Sequence, residues 1–351
     1  MKQVTQRLRD GRIEVLEVPP PSLTAHTVLV DIRASLLSAG TERTKVETGR
    51  QSLVAKARSR PDQVRQVVEK AQRDGVRDTM DAVRNRLDQP SPLGYSAAGV
   101  VLAVGERVAG LQPGDRVACA GAEHAHHAGV DRVPGNLCVP LPDGVGFDEG
   151  AFTTVGAIAL QGVRQSDARL GERVAVIGLG LVGQLTGQIL RAAGCRVVGV
   201  DVAAGAVESA RASGAVDDGY ARDALDVKAL PAGAAECDAV IVTAATSSDD
   251  PVTLAAHLCR DRGRVVVVGA VGMQIPRAPY YDKELELRQS RSYGPGRYDT
   301  EYEERGLDYP IGYVRWTERR NMAAFLELIA ARRIDVGSLV SQRFGVEEAP
   351  D

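Results

Sequence analysis

The sequence lacks a basic excess and a long apolar run, and each absence removes a class of function. Its 43 Lys and Arg residues are balanced by 46 Asp and Glu, which gives a net charge of -3. Binding to a phosphate backbone requires many more cations, so nucleic acid is not an expected partner. The first ten residues are polar and charged, and no apolar run approaches the length of a membrane span. We therefore predict a cytoplasmic protein without a membrane partner.

Paired cysteines are also missing. The five cysteines stand singly, with no C-x-x-C pair, at Cys119, Cys138, Cys195, Cys237 and Cys259. This spacing predicts neither a disulfide framework nor a clustered zinc site, and it favours small buried side chains. The chain has no internal repeat, and its 351 residues are enough for two domains.

The first part of the chain has the pattern of a β-rich domain. Asp10 and Gly11 form a pair suited to a hairpin turn, and residues 28–33 alternate apolar and polar side chains. Strand-like segments return at 99–104 and 115–119. Between residues 33 and 99, residues 49–91 carry charged side chains with apolar residues at helical spacing. We predict a first domain over residues 1–150 with a helical insert at 49–91.

The middle of the chain has the pattern of an α/β domain. Apolar strands at 173–177, 196–200, 238–243 and 264–268 alternate with helical segments. This alternation predicts a doubly wound parallel sheet over residues 151–294. Residues 295–351 are interpreted as a return to the first domain.

One strand leads directly into a glycine-rich turn. Residues 174–183 read V-A-V-I-G-L-G-L-V-G, a strand followed by G-x-G-x-x-G, and residues 184–193 continue as a helix. Such glycines let a pyrophosphate approach the backbone at the positive end of the helix. The predicted cofactor contacts here are Gly178, Leu179, Gly180, Leu181, Val182 and Gly183. The alternative is a glycine-rich turn that binds no dinucleotide.

The end of the next strand indicates which cofactor is bound. Asp201 can accept hydrogen bonds from the ribose hydroxyls, and residues 202–204 supply no Arg or Lys for a 2′-phosphate. The sequence therefore favours NAD over NADP.

Three further motifs carry a family resemblance. Residues 94–105 read G-Y-S-A-A-G-V-V-L-A-V-G, residues 113–117 read P-G-D-R-V, and residues 283–290 read K-E-L-E-L-R-Q-S. In this order they resemble the medium-chain dehydrogenase/reductase superfamily. The resemblance implies a GroES-like β-rich catalytic domain, a Rossmann domain, and a homo-oligomer, either a dimer or a tetramer.

A narrower resemblance covers residues 38–42, the helical insert and residues 291–298. These segments are similar to the dehydrogenase half of two-domain oxidoreductases found with sugar and polysaccharide genes. Residues 343–349 resemble the segment that leads into the family's last helix and strand, so we expect either a shortened chain or a domain without that closure.

The chain departs from the family at its zinc ligands. Zinc members carry Cys in C-G-T-D and His-Glu in G-H-E, because the metal needs three protein ligands and an open position. The matching residues here are Ala39, Tyr95 and Ser96. No catalytic zinc is therefore expected, and the four-cysteine lobe of a structural zinc is missing as well.

The resemblance suggests which side chains replace the metal. Thr41 matches a hydroxyl relay residue, and Glu42 matches an acid beside the metal. We predict that Tyr95 hydrogen-bonds the substrate oxygen, with Thr41 as its partner and Glu42 tuning or accepting the proton. Because a phenol has a pKa of about 10, a cation such as Lys45 would have to lower it. Alternatively, Tyr95 only fills the empty metal cavity.

Other candidates border the cleft. Five residues match positions at the nicotinamide end: Thr154, Ala244, Gly269, Ala270 and Gly272. The histidines at 124, 126 and 127 are interpreted as a polar β-segment with alternating faces, which leaves only His127 to face the cleft.

The last part of the chain is crowded with aromatic and arginine residues. Tyr293, Arg297 and Tyr298 belong to a cluster that extends to Trp316, together with Arg305 and Arg315. Such a cluster suits a sugar-like or anionic ligand over the cleft. An interface is the alternative, because interfaces enrich the same residues.

Together these observations predict a zinc-independent, NAD(H)-dependent alcohol or polyol dehydrogenase that acts on a secondary alcohol of a sugar-like substrate. The alternatives are a quinone or enoyl reductase, and a non-catalytic NAD-binding subunit.

Overall fold

A computed structural model describes residues 1–7, 9–38, 40, 65, 75, 79–80 and 89–350. The predicted helical insert at 49–91 lies almost entirely outside the described residues. Within the described part, two antiparallel sheets and one parallel sheet organise the chain, which confirms the predicted α/β class with a β-rich first domain.

The chain begins with a hairpin. Strands β1 (Lys2–Arg7) and β2 (Ile13–Glu17) pair antiparallel. Gly11 has a φ of 73°, a conformation that glycine adopts at little cost, and this confirms the predicted turn.

A five-stranded antiparallel sheet forms the body of the first domain. It has the order β7-β3-β5-β6-β8. Its strands are β3 (Thr27–Ser35), β5 (Ser96–Val104), β6 (Arg116–Ala120), β7 (Val130–Pro134) and β8 (Cys138–Pro140). The short strand β4 (Pro90–Pro92) pairs with β1 instead.

The second sheet has six parallel strands in the order β11-β10-β9-β12-β13-β14. Its strands are β9 (Arg173–Ile177), β10 (Arg196–Asp201), β11 (Asp218–Ala221), β12 (Cys237–Val242), β13 (Cys259–Val267) and β14 (Glu286–Gln289). Counted from β9, this is the 3-2-1-4-5-6 order of a dinucleotide-binding sheet. The predicted doubly wound sheet is confirmed.

Helices cover the parallel sheet and join it to the first domain. The α-helices of the described part are α1 (Phe147–Gly150), α2 (Thr153–Ser166), α3 (Leu181–Ala192), α4 (Ala204–Ala212), α5 (Asp250–Leu258), α6 (Arg277–Asp282), α7 (Thr300–Glu303) and α8 (Glu318–Ala330). The predicted domain boundary at residue 150 falls between α1 and α2.

Buried apolar side chains hold these helices in place. Helix α3 buries Leu185, Ile189 and Leu190, which repeat at helical spacing and face the core. On α8, Phe325 is fully buried and occupies the space that a side chain at Gly156 of α2 would need. Helix α8 is thereby held directly against α2.

The C-terminal segment returns to the first domain. The Asn136 side chain donates a hydrogen bond to the carbonyl oxygen of Tyr302 (2.8 Å), and Arg343 pairs with Asp148 (3.0 Å). These contacts agree with the predicted return, although the exact division into domains stays a prediction.

All five cysteines are free and buried, as predicted. Burial raises the pKa of the thiols of Cys237 and Cys259 to about 12. No helix in the described ranges is long and apolar enough to cross a membrane.

Candidate dinucleotide and substrate site

The turn between β9 and α3 is shaped by three glycines. Gly178 has a φ of 96°, and a methyl group added at Gly183 would overlap the carbonyl oxygen of Gly178. A methyl group at Gly180, in contrast, would meet nothing within 4 Å. Two glycines therefore let the strand and helix pack closely, and the third leaves open space above the turn.

Helix α3 begins at this open space. Gly180 is its N-cap, no side chain caps the terminus, and its first turn contains no acidic residue. The first amide groups of a helix have no partner within the helix, and they carry its positive partial charge. The Leu181–Ala192 helix thus directs donors and positive potential to the place where a phosphate group fits.

Asp201 is fixed beside the same turn. Its Oδ2 accepts a hydrogen bond from the Leu179 amide (2.6 Å), and its Oδ1 accepts one from the Ala203 amide (2.8 Å). Each carboxylate oxygen has a second lone pair for a further donor, such as a hydroxyl. The next basic residue along the chain, Arg211, donates to the Gly219 carbonyl oxygen instead.

The carboxyl ends of the neighbouring strands converge on this turn. The Ala244 amide after β12 donates to the Ile177 carbonyl oxygen (3.1 Å), and the Gly269 amide after β13 donates to the Val242 carbonyl oxygen (3.0 Å). The Ala270 carbonyl oxygen accepts from the Thr246 amide (2.8 Å). The structure therefore brings three of the five residues predicted for the nicotinamide end, Ala244, Gly269 and Ala270, to one edge of the sheet.

A buried hydrogen-bond network joins Tyr95 and Ser96 to helix α2. The Thr154 Oγ1 donates to the Tyr95 carbonyl oxygen (3.0 Å), and the Thr154 amide donates to the Ser96 Oγ (3.1 Å). The Ser96 Oγ donates in turn to the Ala151 carbonyl oxygen (2.6 Å). Because the Thr154 hydroxyl already donates its proton to the Tyr95 carbonyl oxygen, it holds the Tyr95 backbone and does not donate to a ligand, and the Thr154 amide holds the Ser96 side chain.

Several predicted residues cannot be placed. Thr41, Glu42 and Lys45 lie outside the described residues, as does Ala39. Tyr95 is therefore the only predicted catalytic side chain that the structure locates, and it is 7% exposed.

The predicted strand through the histidines is wrong. Residues 122–127 form turns and bends, which begin after Gly121 at a φ of 113°. His126 Nδ1 lies 2.9 Å from Asp131, whereas His127 Nδ1 lies 2.8 Å from the Ser35 hydroxyl. In the chain as described, no three His, Cys, Asp or Glu side chains are grouped to hold a metal ion.

His127 nevertheless lies beside residues 93–94, which lead into Tyr95. A side chain at Gly94 would overlap the His127 amide nitrogen, and that amide donates to the Leu93 carbonyl oxygen (2.9 Å). The backbone of His127 thus lies close in space to the segment just before Tyr95. His127 is almost completely buried.

The aromatic cluster predicted over the cleft divides into two parts. Trp316 lies against Arg164 (3.3 Å from the guanidinium carbon to the ring centroid) and Arg315 (3.8 Å). Trp316 also lines a cavity of about 450 Å³ with Ala192 and Ala193, at the C-terminal end of α3. That end lies about 18 Å from Gly180. The prediction that Trp316 and Arg315 cover the cleft is therefore wrong.

The other part of the cluster is a loop at residues 291–298. Tyr293 is only 3% exposed and packs in the core, so its ring does not form a surface for a ligand. Arg297 pairs with Glu303 (2.6 Å) and lies over the Tyr298 ring (4.0 Å). Tyr298 itself is 58% exposed and can meet a ligand.

Beneath this loop lies a carboxyl group that the sequence analysis missed. Glu318 is fully buried in the first turn of α8, and neither of its carboxyl oxygens has a hydrogen-bond partner in the described part. Burial raises the pKa of Glu318 to about 9, and Glu303 adds to the effect, while Arg297 opposes it. An acidic residue after an N-cap threonine is typical of an exposed helix start, so the sequence offered no signal of this burial.

Comparison with known proteins gives matches over both domains. The profile of the family described as "Alcohol dehydrogenase GroES-like domain" matches residues 71–165, and that of "Zinc-binding dehydrogenase" matches residues 182–305.

Relatives and solved structures agree with these matches. Sorbitol dehydrogenase of Homo sapiens is 25% identical over 74% of this chain and 75% of its own length. L-idonate 5-dehydrogenase of Vitis vinifera is 26% identical over 77% of this chain and 78% of its own length. The structure of alcohol dehydrogenase TADH from Thermus sp. ATN1 superposes with a TM-score of 0.73 at 20% identity, over 100% of this chain and 94% of that one. The observed fold is therefore the fold of these dehydrogenases.

Proposed function

The chain belongs to the medium-chain dehydrogenase/reductase superfamily, and from this we propose that it is an NAD(H)-dependent dehydrogenase that needs no catalytic zinc. Its substrate is a secondary alcohol of a polyol or sugar-like molecule, or the matching ketone. The observation that carries the proposal is the open space above Gly180, beside the Asp201 carboxylate and the uncapped start of α3. Polyol relatives, such as the sorbitol and L-idonate dehydrogenases, support the substrate class.

The residues of the glycine turn fit a dinucleotide. The amides of Leu181 and Val182 would hold the pyrophosphate, and Asp201 would hold the adenosine ribose. A 2′-phosphate would meet the Asp201 carboxylate, and residues 202–206 offer no basic side chain to balance it. This electrostatic argument supports NAD over NADP.

The residues at the zinc position do not fit a zinc ion. A thiolate and an imidazole are replaced in the sequence by Ala39 and Tyr95. The Ser96 hydroxyl is buried between the Ala151 carbonyl oxygen and the Thr154 amide. No step of the proposed reaction therefore uses zinc.

Tyr95 holds the substrate oxygen in the proposed mechanism. When bound, the nicotinamide ring supplies or accepts the hydride. The Tyr95 carbonyl oxygen accepts hydrogen bonds from the Thr154 hydroxyl (3.0 Å) and the Gly121 amide (3.0 Å), which fix the backbone that carries the phenol. From that position the phenol donates to a ketone oxygen or accepts from an alcohol. Thr41 and Glu42 complete the proton path in this proposal, on the strength of the family resemblance.

We also propose a homo-oligomer in the cytoplasm. Strand β14 is an edge of the parallel sheet, and its Glu286–Gln289 residues are largely exposed. An unpaired edge can pair with the same edge of a second subunit, which supports a two-fold dimer.

Turnover by chelator-treated protein tests the proposal. We expect hexitols and pentitols to be oxidised with NAD in the presence of excess chelator, and much more slowly with NADP. Quinone reduction with a preference for NADPH would favour the alternative of a quinone reductase. Tight NADH binding without turnover of any alcohol or ketone would favour a non-catalytic subunit.

A further inference from the structure

Arg291 is the first exposed cation after strand β14, at the carboxyl edge of the parallel sheet. The Ser290 amide before it donates to the Val267 carbonyl oxygen (2.9 Å), at the end of β13. The Gln289 side chain lies 3.9 Å from the Met273 sulfur, in the segment just after Gly272. Arg291 therefore lies beside the turn where the nicotinamide end of the cofactor is proposed to bind.

The loop that begins at Arg291, residues 291–298, extends towards Tyr95. The Gly121 amide donates to the Tyr95 carbonyl oxygen, and the His124 amide donates to the Gly121 carbonyl oxygen (3.0 Å each). Burial, with smaller contributions from His126 and Arg297, lowers the pKa of His124 to about 4. The positive charge of Arg297 therefore acts on the His124 ring. Residues 291–298 connect the nicotinamide side of the crevice with its Tyr95 side.

The two arginines of this loop differ in their charge balance. The Arg297 guanidinium is neutralised by Glu303, in a pair whose side chains are only 16% and 10% exposed. Arg291 has no ion pair with any residue that the structure describes, although its guanidinium lies 4.5 Å from the Tyr298 ring centroid. Among the described residues, this loop therefore presents one positive charge without an ion pair, next to the partly exposed ring of Tyr298.

The backbone holds this arrangement in place. Ser292 and Tyr298 have φ values of 50° and 67°, a left-handed conformation that non-glycine residues keep only where the surrounding structure holds them in it. The Asn321 side chain donates to the Tyr293 carbonyl oxygen (2.9 Å), and the Glu318 amide donates to the Pro295 carbonyl oxygen (2.8 Å). Helix α8 thus anchors the loop from below, and Tyr298 and Arg291 are presented in a fixed conformation.

We propose that Arg291, stacked on Tyr298, binds an oxyanion carried by the sugar-like substrate, either a phosphate ester or a carboxylate. The proposal rests on the dehydrogenase function proposed above, and it names the substrate class more closely. A guanidinium fork offers paired donors that match the oxygens of both groups. The guanidinium groups of Arg291 and Arg297 both lie over the Tyr298 ring (4.5 and 4.0 Å from its centroid), but the side chain is 58% exposed, and its exposed part offers a contact for the sugar carbons.

The test compares a neutral hexitol, its 6-phosphate and the corresponding aldonate in wild-type protein, R291A and R291K. Kd for each compound is measured by calorimetry with NADH present, and kcat/KM is measured where turnover occurs. We expect the wild type to prefer one of the anions. R291A should weaken binding of that anion about 10- to 100-fold and leave the hexitol within about 2-fold, with R291K between them.

R315A is the matched control. It removes an exposed guanidinium that also lies over an aromatic ring, at the far end of α3. It should change the binding of no compound.

Comparison of the Kd values of the hexitol 6-phosphate and the aldonate identifies which oxyanion is bound. A wild-type preference for the hexitol, or an equal loss for neutral and anionic compounds in R291A, would overturn the inference while leaving the dehydrogenase function intact. Conversely, binding of an anion that depends on Arg291 without any turnover would support the site and contradict the proposed function.

Discussion

The proposed cofactor side and the proposed substrate side of the crevice would recognise their ligands in different ways. On the cofactor side, Gly178, Gly180 and Gly183 contribute shape and backbone amides, and only Asp201 contributes a side chain. On the substrate side, the candidates Tyr95 and Arg291 act through side chains held by buried hydrogen bonds or a strained loop. Substitutions at the three glycines should therefore act through steric overlap, and those at Asp201 and on the substrate side through the loss of a functional group.

The largest effect is expected from Gly183→Ala. The added methyl group would overlap the Gly178 carbonyl oxygen, so the strand and the helix must separate. We expect a loss of about 3 kcal/mol in the free energy of unfolding, together with loss of NADH binding. Chemical denaturation and NADH fluorescence titration measure the two effects.

Gly180→Ala is the matched comparison, because its methyl group meets nothing within 4 Å. It should leave the stability unchanged and still raise the Kd for NADH by about tenfold or more. If Gly180→Ala binds NADH like the wild type, the pyrophosphate does not lie above this turn.

On the substrate side, Tyr95→Phe should lower kcat for polyol oxidation by about 100-fold or more. The Kd for NADH should stay unchanged, because only the phenol oxygen is removed. Tyr281→Phe, at an exposed ring, is the control and should behave as the wild type. Full activity in Tyr95→Phe would show that the Tyr95 phenol fills space and takes no part in the reaction.

A smaller effect is expected from Asp201→Asn. The substitution keeps the shape of the side chain and removes its charge, so it should raise the Kd for NADH by about tenfold. The Kd for NADPH should change less, because the repulsion of its 2′-phosphate is relieved at the same time. An unchanged ratio of the two Kd values would mean that Asp201 does not select the cofactor.

The smallest effect is expected on the free energy of unfolding, and it comes from Glu318, which lies beneath the loop at residues 291–298. Glu318 has a folded-state pKa of about 9, above its ordinary value of 4.5, so the folded protein holds a proton that the unfolded chain releases between these values. Its contribution to stability is complete below about pH 4.5 and falls as the pH rises towards 9.

Glu318→Gln removes this titration. Near pH 9 it should be more stable than the wild type by about 1–3 kcal/mol, and the difference should shrink towards pH 5. Thermal unfolding across this pH range measures the difference. A constant difference at all pH values would show that Glu318 does not titrate in this range.

The parallel sheet could be predicted because its central strands are short apolar runs. Strands β9, β10 and β12 are buried on both faces, and their sequences show it. The edge strands β11 (D-G-Y-A) and β14 (E-L-R-Q) carry no such run, and their pairing depends on neighbours distant in sequence. They were not predicted for this reason.

The candidate site could be predicted only where a local pattern determines the contact. The glycine turn and Asp201 could be predicted from their spacing along the chain. The structure brings them together, because the Leu179 amide donates a hydrogen bond to Asp201. The separation of Trp316 from Tyr298 does not follow from sequence, because it depends on how α8 packs against α2. The hydrogen bond from the Thr154 hydroxyl to the Tyr95 carbonyl oxygen could not be predicted either, because it depends on packing between residues distant in sequence.

Equilibrium binding of NADH and NADPH to chelator-treated protein, followed by titration of zinc into the same sample, tests the central claim most directly. The account predicts tight NADH binding, much weaker NADPH binding, and no change in either on addition of zinc. A preference for NADPH, or a stoichiometric requirement for zinc, would contradict it.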